Sequence, residues 1–361
     1  MGHNRDWTQY NQQKINQGKI NFWVSEEALG GWQAKKRKKN GHPFVYSDEF
    51  IKAISFIRFK FRLGFRQVQG FFESVVAFAC KDCKIPSYTQ ICRRFKQLSF
   101  PSELMRKQDV TNIVFDTTGL KVYGEGEWRA EKYGGRRRWK KLHVAIDEKT
   151  GKFTMAEITD EHVHDTTKLE TALKKANRRK GKVLFDGIAD SLRCYQLAEK
   201  YNKTLLTPPK KRAVLREEPS FAPRNDAIRI IHGFGNDRDA RSIWGKLVGY
   251  NQRVIVESAI SRWKRLFGGD LRSRCPLRKN NEVQIKAMMI NTMIDNELGN
   301  LSTNWFTTQA DTSEARWERV HEPAIRLRSQ SKTAAQEGPA SGPKGEQCVS
   351  TDPRRARGLA K

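Results

Sequence analysis

Asn112-Ile113-Val114-Phe115-Asp116 is a short apolar run closed by an acid, and it has a twin in Val183-Leu184-Phe185-Asp186. Runs of this length, rich in β-branched and aromatic residues, read as strands buried in a sheet. The residue that follows stands at the carboxyl edge, where open α/β sheets place their ligands. Between the twins, the basic stretch Arg136-Arg137-Arg138-Trp139-Lys140-Lys141 leads into Leu142-His143-Val144-Ala145-Ile146. A turn at Glu148-Lys149-Thr150-Gly151 precedes Phe153-Thr154-Met155-Ala156-Glu157-Ile158. Such short connections favour an antiparallel meander. Asp165 is placed to cap a helix carrying Leu169, Ala172, Leu173 and Ala176, and Asp190 or Ser191 opens another through Leu192, Tyr195 and Ala198. Thr204-Leu205-Leu206 is a fifth strand, closed by Pro208-Pro209. The order βββαβαβ, then a helix, predicts an α/β fold: a mixed sheet layered with helices.

Beyond the fifth strand, residues 210–249 read as basic and irregular. A long helix is expected over about Tyr250–Phe267 and another over Ile285–Ile294. Upstream, residues 1–46 form a polar and aromatic arm ending near Lys35-Lys36-Arg37-Lys38-Lys39, either a solvated loop or a phosphate contact. Residues 47–100 predict three short helices, the first capped by Ser47 or Asp48 and ended by Gly64, the third capped by Ser87. Arg93, Arg94 and Lys96 fall on or near the exposed side of the third helix. The arrangement resembles a helix-turn-helix reader of the DNA major groove, and an ordinary three-helix packing unit satisfies the same pattern. Residues 108–300 would form the catalytic domain, and 301–361, rich in Ser, Thr, Gly, Pro and charge, a disordered tail.

The formal net charge is +28. Residues 302–361 hold 10 Lys+Arg against 7 Asp+Glu, so about +25 sits on the first 301 residues. A positive field this large points to nucleic acid as partner; a membrane surface finds no long basic amphipathic helix. No apolar run approaches the roughly 18 residues of a membrane span, and no signal peptide opens the chain. Six cysteines make no disulfide framework, so a cytoplasmic, nucleoid-associated setting is expected. Cys80, Cys83 and Cys92 lack the fourth ligand of a zinc site. His162-Val163-His164 reads as a loop, and Gly124-Glu125-Gly126 is no phosphate cradle, its carboxylates being repulsive to phosphate. An RNA-binding reading finds no aromatic strand motif.

Three carboxylates carry the chemistry. Asp116 and Asp186, each alone, read as turn or cap residues; their matching contexts argue for more. The third is Glu257. At about 100° per residue, Tyr250, Arg253, Glu257 and Lys264 share a stripe about 60° wide, while Ile255, Val256, Ala259, Trp263, Leu266 and Phe267 occupy a broad apolar arc. A surface ion pair between Arg253 and Glu257, four residues apart, is the plain alternative. Clustered acids in a basic protein repel unless cations sit among them, and carboxylate oxygens suit Mg²⁺ or Mn²⁺. Two such ions can activate a nucleophile on one side of a phosphodiester and stabilise the leaving oxygen on the other.

The spacing Tyr250-(2)-Arg253-(3)-Glu257-(6)-Lys264 matches the Tyr-Arg-Glu-Lys signature of bacterial insertion-sequence DDE transposases. Phe115-Asp116-Thr117-Thr118-Gly119-Leu120-Lys121-Val122-Tyr123-Gly124-Glu125-Gly126-Glu127-Trp128 resembles the first-Asp block of insertion-sequence family five. Phe185-Asp186-Gly187 is similar to the second, though Ile188-Ala189-Asp190 departs from the expected form. The resemblance spans roughly residues 5–296 and implies an RNase H-like core. It implies that Asp116 bridges two metal ions and that Asp186 and Glu257 complete one site each. Tyr250, Arg253 and Lys264 would contact the transposon end. It further implies hydrolysis at terminal inverted repeats of double-stranded DNA, 3′-OH transfer into target DNA, and a homo-oligomeric synaptic complex. Arg93, Arg94, Arg136, Arg137, Arg138 and Lys140 are the further DNA-contact candidates. The competing expectation is a catalytically inactive, transposase-derived DNA-binding protein or repressor.

Overall fold

In the computed structural model, residues 6–24, 26–34, 43–79, 83–98, 109–122, 131–134 and 139–297 are described. The Lys35–Lys39 run, Cys80, Gly124-Glu125-Gly126, Arg136–Arg138 and the expected tail therefore lie outside them. The chain to Asn300 is one compact unit. Within the arm, Asp6 caps α1 (Trp7–Gly18) by accepting from the Gln9 N–H at 3.0 Å, and α2 (Ile20–Trp23) and α3 (Glu26–Gly30) follow. The three helices expected from their caps are α4 (Asp48–Lys60), α5 (Phe65–Ala79) and α6 (Tyr88–Gln97). Ser47 accepts from the Phe50 N–H at 3.2 Å, and Ser87 and Gln90 make a reciprocal capping box.

The sheet contains β1 (Ile113–Val122), β2 (Trp139–Asp147) and β3 (Phe153–Asp160) as an antiparallel meander. After α7 (Leu169–Lys175) comes β4 (Gly181–Leu184), and after α8 (Leu192–Lys200) comes β5 (Lys203–Leu206), both parallel to β1. The strand order is β3-β2-β1-β4-β5, a mixed open sheet flanked by helices in the expected RNase H-like βββαβαβ-α order. Period-two alternation divides its side chains. Ile113, Phe115, Ala145, Met155, Val183 and Phe185 face α7 and α8. Val114, Leu120, Val144, Ile146 and Leu184 join a second core that also holds Phe50, Phe72 and Phe95 of the N-terminal helices.

Three expectations need correction. Residues 210–249 are not irregular: α9 (Ala222–Gly233) and α10 (Arg238–Val248) pack through Ala227, Ile231, Ala240 and Trp244. Asp237 caps α10 through the Ala240 N–H at 2.7 Å. The helix expected from Tyr250 starts as a 3₁₀ turn, Tyr250–Arg253, before α11 (Val254–Phe267). Gly249, at φ 78°, ends α10 in a left-handed conformation and sets that turn apart. The last helix is far longer than Ile285–Ile294. After β6 (Asp270–Leu271), α12 runs Pro276–Glu297 and is buried along most of its length, so its sequence has no polar face to mark its ends.

Helix α12 fastens the N-terminal helices to the sheet through buried and half-buried polar groups. Asn281 donates to the carbonyls of Phe95 at 2.7 Å and Leu98 at 3.0 Å. Asn291 accepts from the Phe153 N–H at 2.7 Å and donates to its carbonyl at 2.8 Å, completing the start of β3. Glu282, fully buried, accepts from Lys286 at 2.7 Å and from the N–H groups of Arg272 (3.1 Å) and Ser273 (2.9 Å), which pins the segment after β6. Burial pushes its carboxyl up, but the Lys286 ammonium and these donors hold it below the ordinary glutamate value. Glu282→Gln leaves the Lys286 ammonium buried without its counter-charge, and a loss of about 3–5 kcal/mol is expected in urea unfolding. Glu282→Leu with Lys286→Met is expected to restore much of it.

Candidate active site

Strand β1 does not end at Asp116. It runs on to Val122 because β2 pairs with it continuously from Ile113↔Asp147 to Lys121↔Trp139. On its other edge, β4 covers only Ile113 and Val114, and β6 only Lys121 and Val122. Among the described residues, no strand pairs with that edge over 115–120. Asp116 sits at this opening, on the sheet face toward α11. The β1–β4 register, continued two residues past Val114↔Leu184, sets Asp186 alongside Asp116. That register needs Gly181: a Cβ there would meet the Thr111 carbonyl oxygen at 2.3 Å. Past β4, the Asp186 carboxylate accepts from the Ile188 N–H at 3.2 Å, and the Thr207 hydroxyl donates to its carbonyl at 2.6 Å.

Helix α11 lays Val256, Ala259, Trp263 and Phe267 on the sheet and brings Arg253 and Glu257 to the same rim. The Arg253 guanidinium bridges two acids: NH1 to Asp116 Oδ2 at 3.0 Å, and NH2 to Glu257 Oε1 at 2.6 Å. The Asp116 side chain is 18% exposed, Arg253 22% and Glu257 53%, so the rim grades from half-buried to open. Asp116 Oδ1 accepts from the Thr117 N–H at 2.8 Å. Burial pushes the Asp116 carboxyl above its ordinary value; the Thr117 N–H and Arg253 oppose this, and the charges of Asp186 and Glu257 add to it. Asp186 is raised likewise, by burial first, against the Ile188 N–H and Arg253. Arg253 is itself raised: burial works against its charge, but Tyr250, Asp116, Glu257 and Asp186 together outweigh it. All three acids thus act on one guanidinium.

Tyr250 packs against Trp244, ring centroids 5.3 Å apart, and burial pushes its hydroxyl up to about 12, with Arg253 opposing and Asp186, Asp116 and Glu257 adding. Lys264 is exposed two turns beyond Glu257. Elsewhere the candidates divide. Arg93 is exposed, whereas Arg94 is turned inward, contrary to the expected outer face. It donates to the Tyr46 carbonyl at 2.9 Å and to Asp48 at 2.6 Å, and lies over the Phe44 ring. Lys140 pairs with Asp160 across the β2–β3 ladder. His164, not Asp165, caps the 3₁₀ turn Asp165–Lys168, and Asp165 pairs with Lys141 at 2.8 Å.

Behind Asp116, on the opposite face, lies a group that spacing did not reveal. His143, paired with Thr117 in the β1–β2 register, is fully buried, with Nδ1 3.2 Å from the Thr117 hydroxyl and Nε2 2.7 Å from that of Thr159. A neutral imidazole, one nitrogen donating and one accepting, suits two hydroxyls. Burial lowers its pKa from 6.5 to about 4, with Lys168 and Lys141 assisting and Asp165 and Glu157 opposing.

The acids form an all-oxygen donor set, the kind that suits Mg²⁺ or Mn²⁺, and the position between Asp116 and Glu257 already accommodates a cation in the form of Arg253. As they stand, no three His, Cys, Asp or Glu side chains among the described residues are grouped as a metal site. No helix among the described residues is long and apolar enough to cross a membrane. Two family models, both described as "Transposase DDE domain", match residues 15–125 and 109–292, the second spanning half of the chain. Among solved structures, the cryo-EM structure of the piggyBac transposase synaptic complex with hairpin DNA is similar at 9% identity and a TM-score of 0.26, over 82% of this chain and 84% of that one.

His143 gives this region a pH signature. Below about 6.5 the unfolded chain takes up a proton that the folded chain refuses until about 4. Stability is therefore expected to fall as pH drops through that window. In His143→Gln this component of the slope should be absent from urea midpoints measured between pH 7 and 4.

Proposed function

The chain belongs to the transposase DDE domain family, and from that premise we propose that it cleaves DNA at the terminal inverted repeats of an insertion sequence of family five and joins the freed 3′-OH to target DNA. The observation that carries this reading is the Arg253 guanidinium bridging Asp116 and Glu257 at the open stretch of β1, with Asp186 set alongside Asp116 by the β1–β4 register. These three residues would hold two divalent ions through their carboxylate oxygens. When bound, such ions polarise the scissile phosphate and favour ionisation of the attacking water or 3′-hydroxyl.

The chain's own residues position the DNA. Lys264, on the exposed side of α11 about 10 Å from Glu257 along the helix axis, is suited to a phosphate contact. Tyr250, fixed by Trp244, is a firm wall at the acidic rim. Arg93 and Lys96 on α6 offer a second set of phosphate contacts, and Arg136–Arg138 remain candidates. Arg94 and Lys140, already paired, are not counted among them. The net charge supports double-stranded DNA as partner, and joining two element ends calls for more than one copy of the chain.

Mg²⁺-dependent nicking of an inverted-repeat duplex is expected to fall by at least about 10³-fold in Asp116→Asn, Asp186→Asn and Glu257→Gln, with duplex binding kept. Retained cleavage in these variants would refute the assignment. Wild-type binding without cleavage, even in Mn²⁺, would favour the DNA-binding repressor instead. Arg93→Ala and Lys264→Ala should each weaken duplex binding and flatten the salt dependence of log K by about one ion. Arg94→Ala should instead lower the free energy of unfolding by about 1–3 kcal/mol and leave DNA affinity unchanged.

A further inference from the structure

We infer that Arg253 is a resident counter-cation of the acidic rim, exchanged for a divalent ion when one binds, so that metal occupancy releases the guanidinium toward phosphate. The inference rests on the trio proposed above as metal-holding and adds the group that competes with the metal for it.

The competition is visible atom by atom. Both oxygens of Asp116 are engaged: Oδ1 by the Thr117 N–H at 2.8 Å and Oδ2 by Arg253 NH1 at 3.0 Å. Arg253 NH2 holds Glu257 Oε1 at 2.6 Å. A cation approaching Asp116 from the open side must share Oδ2 with a guanidinium that spans to the second acid, and two cations so close repel. Divalent binding and these two ion pairs are therefore antagonistic, and by linkage each weakens the other equally.

Exchange asks little of the backbone. Arg253 is the last residue of the 3₁₀ turn that precedes α11, and its side chain is already 22% exposed. Its long stem can swing the head group outward while the turn stays in place. Such a device fits the electrostatics. Without a cation, Asp116 and Asp186, set alongside one another by the β1–β4 register, would stand as two like charges. With Arg253 in place the rim is held together; once released, the same charge is available to the DNA backbone beside Lys264.

Isothermal titration of the full-length protein with Mn²⁺ alone, without DNA, tests the exchange. Arg253→Gln is expected to bind Mn²⁺ roughly tenfold more tightly than wild type, since two charge-assisted contacts no longer compete. Arg253→Lys should fall between, because one ammonium does not span two carboxylates as a planar fork does. Asp116→Asn should bind more weakly than wild type. The Mn²⁺-induced rise in Tm should follow the same order, a readout independent of catalysis. Equal or weaker binding in Arg253→Gln, with wild type still binding through Asp116, would overturn the exchange and leave the trio intact. If neither wild type nor Arg253→Gln binds Mn²⁺, the trio and the exchange fail together.

Discussion

Strand β1 is paired along almost its whole length on one edge and only at its two ends on the other. That asymmetry is the constraint on which the site depends. Continuous pairing with β2 keeps the strand straight and extended past Asp116. The departure of β4 after Leu184, and the arrival of β6 only at Lys121, leave an interval in which a side chain at the sheet's centre reaches solvent. A carboxylate at such a place is half-buried by its own strand, so its charge is costly until a cation joins it. Gly181 admits β4 to its register, and Glu282 holds the segment after β6. The opening is thus defined from both sides by residues remote from it.

Much of this was legible in the sequence where local patterns carry the signal. The twin apolar runs ending at Asp116 and Asp186 mark two strands of the sheet, and the apolar arc of the helix expected over Tyr250–Phe267 marks the face it lays on them; that the two strands are parallel neighbours came from the structure. Caps at Ser47 and Ser87 placed α4 and α6. What was hidden depends on partners distant in the chain. Thr117-Thr118-Gly119 does not read as strand; it is strand because β2 lies beside it. Arg94 has the spacing of a surface residue and is claimed by Asp48, 46 positions earlier. Arg253–Glu257 is an ordinary i,i+4 pair on paper, and only folding adds Asp116, 137 positions away, to the same guanidinium.

The helices that precede the sheet share its core. Phe50, Phe72 and Phe95 belong to the same apolar cluster as Val114, Leu184 and Trp263, and Asn281 of α12 bonds the end of α6 directly. A basic helix joined to the rim in this way differs from one tethered by a linker. Its exposed Arg93 and Lys96 occupy fixed positions relative to Asp116, set by side-chain packing rather than by chance encounter. In the DNA cleavage proposed above, that fixed offset would convert recognition at one place into alignment at another. The energetic requirement is that α12 stay intact. Its buried polar residues Asn281, Glu282 and Lys286, and the half-buried Asn291, cost desolvation that an apolar helix would avoid. Each is matched to a specific carbonyl or N–H on α6, β3 or the β6 segment, contacts that fix the register of the helix between the two halves where apolar packing alone would leave it free to slide.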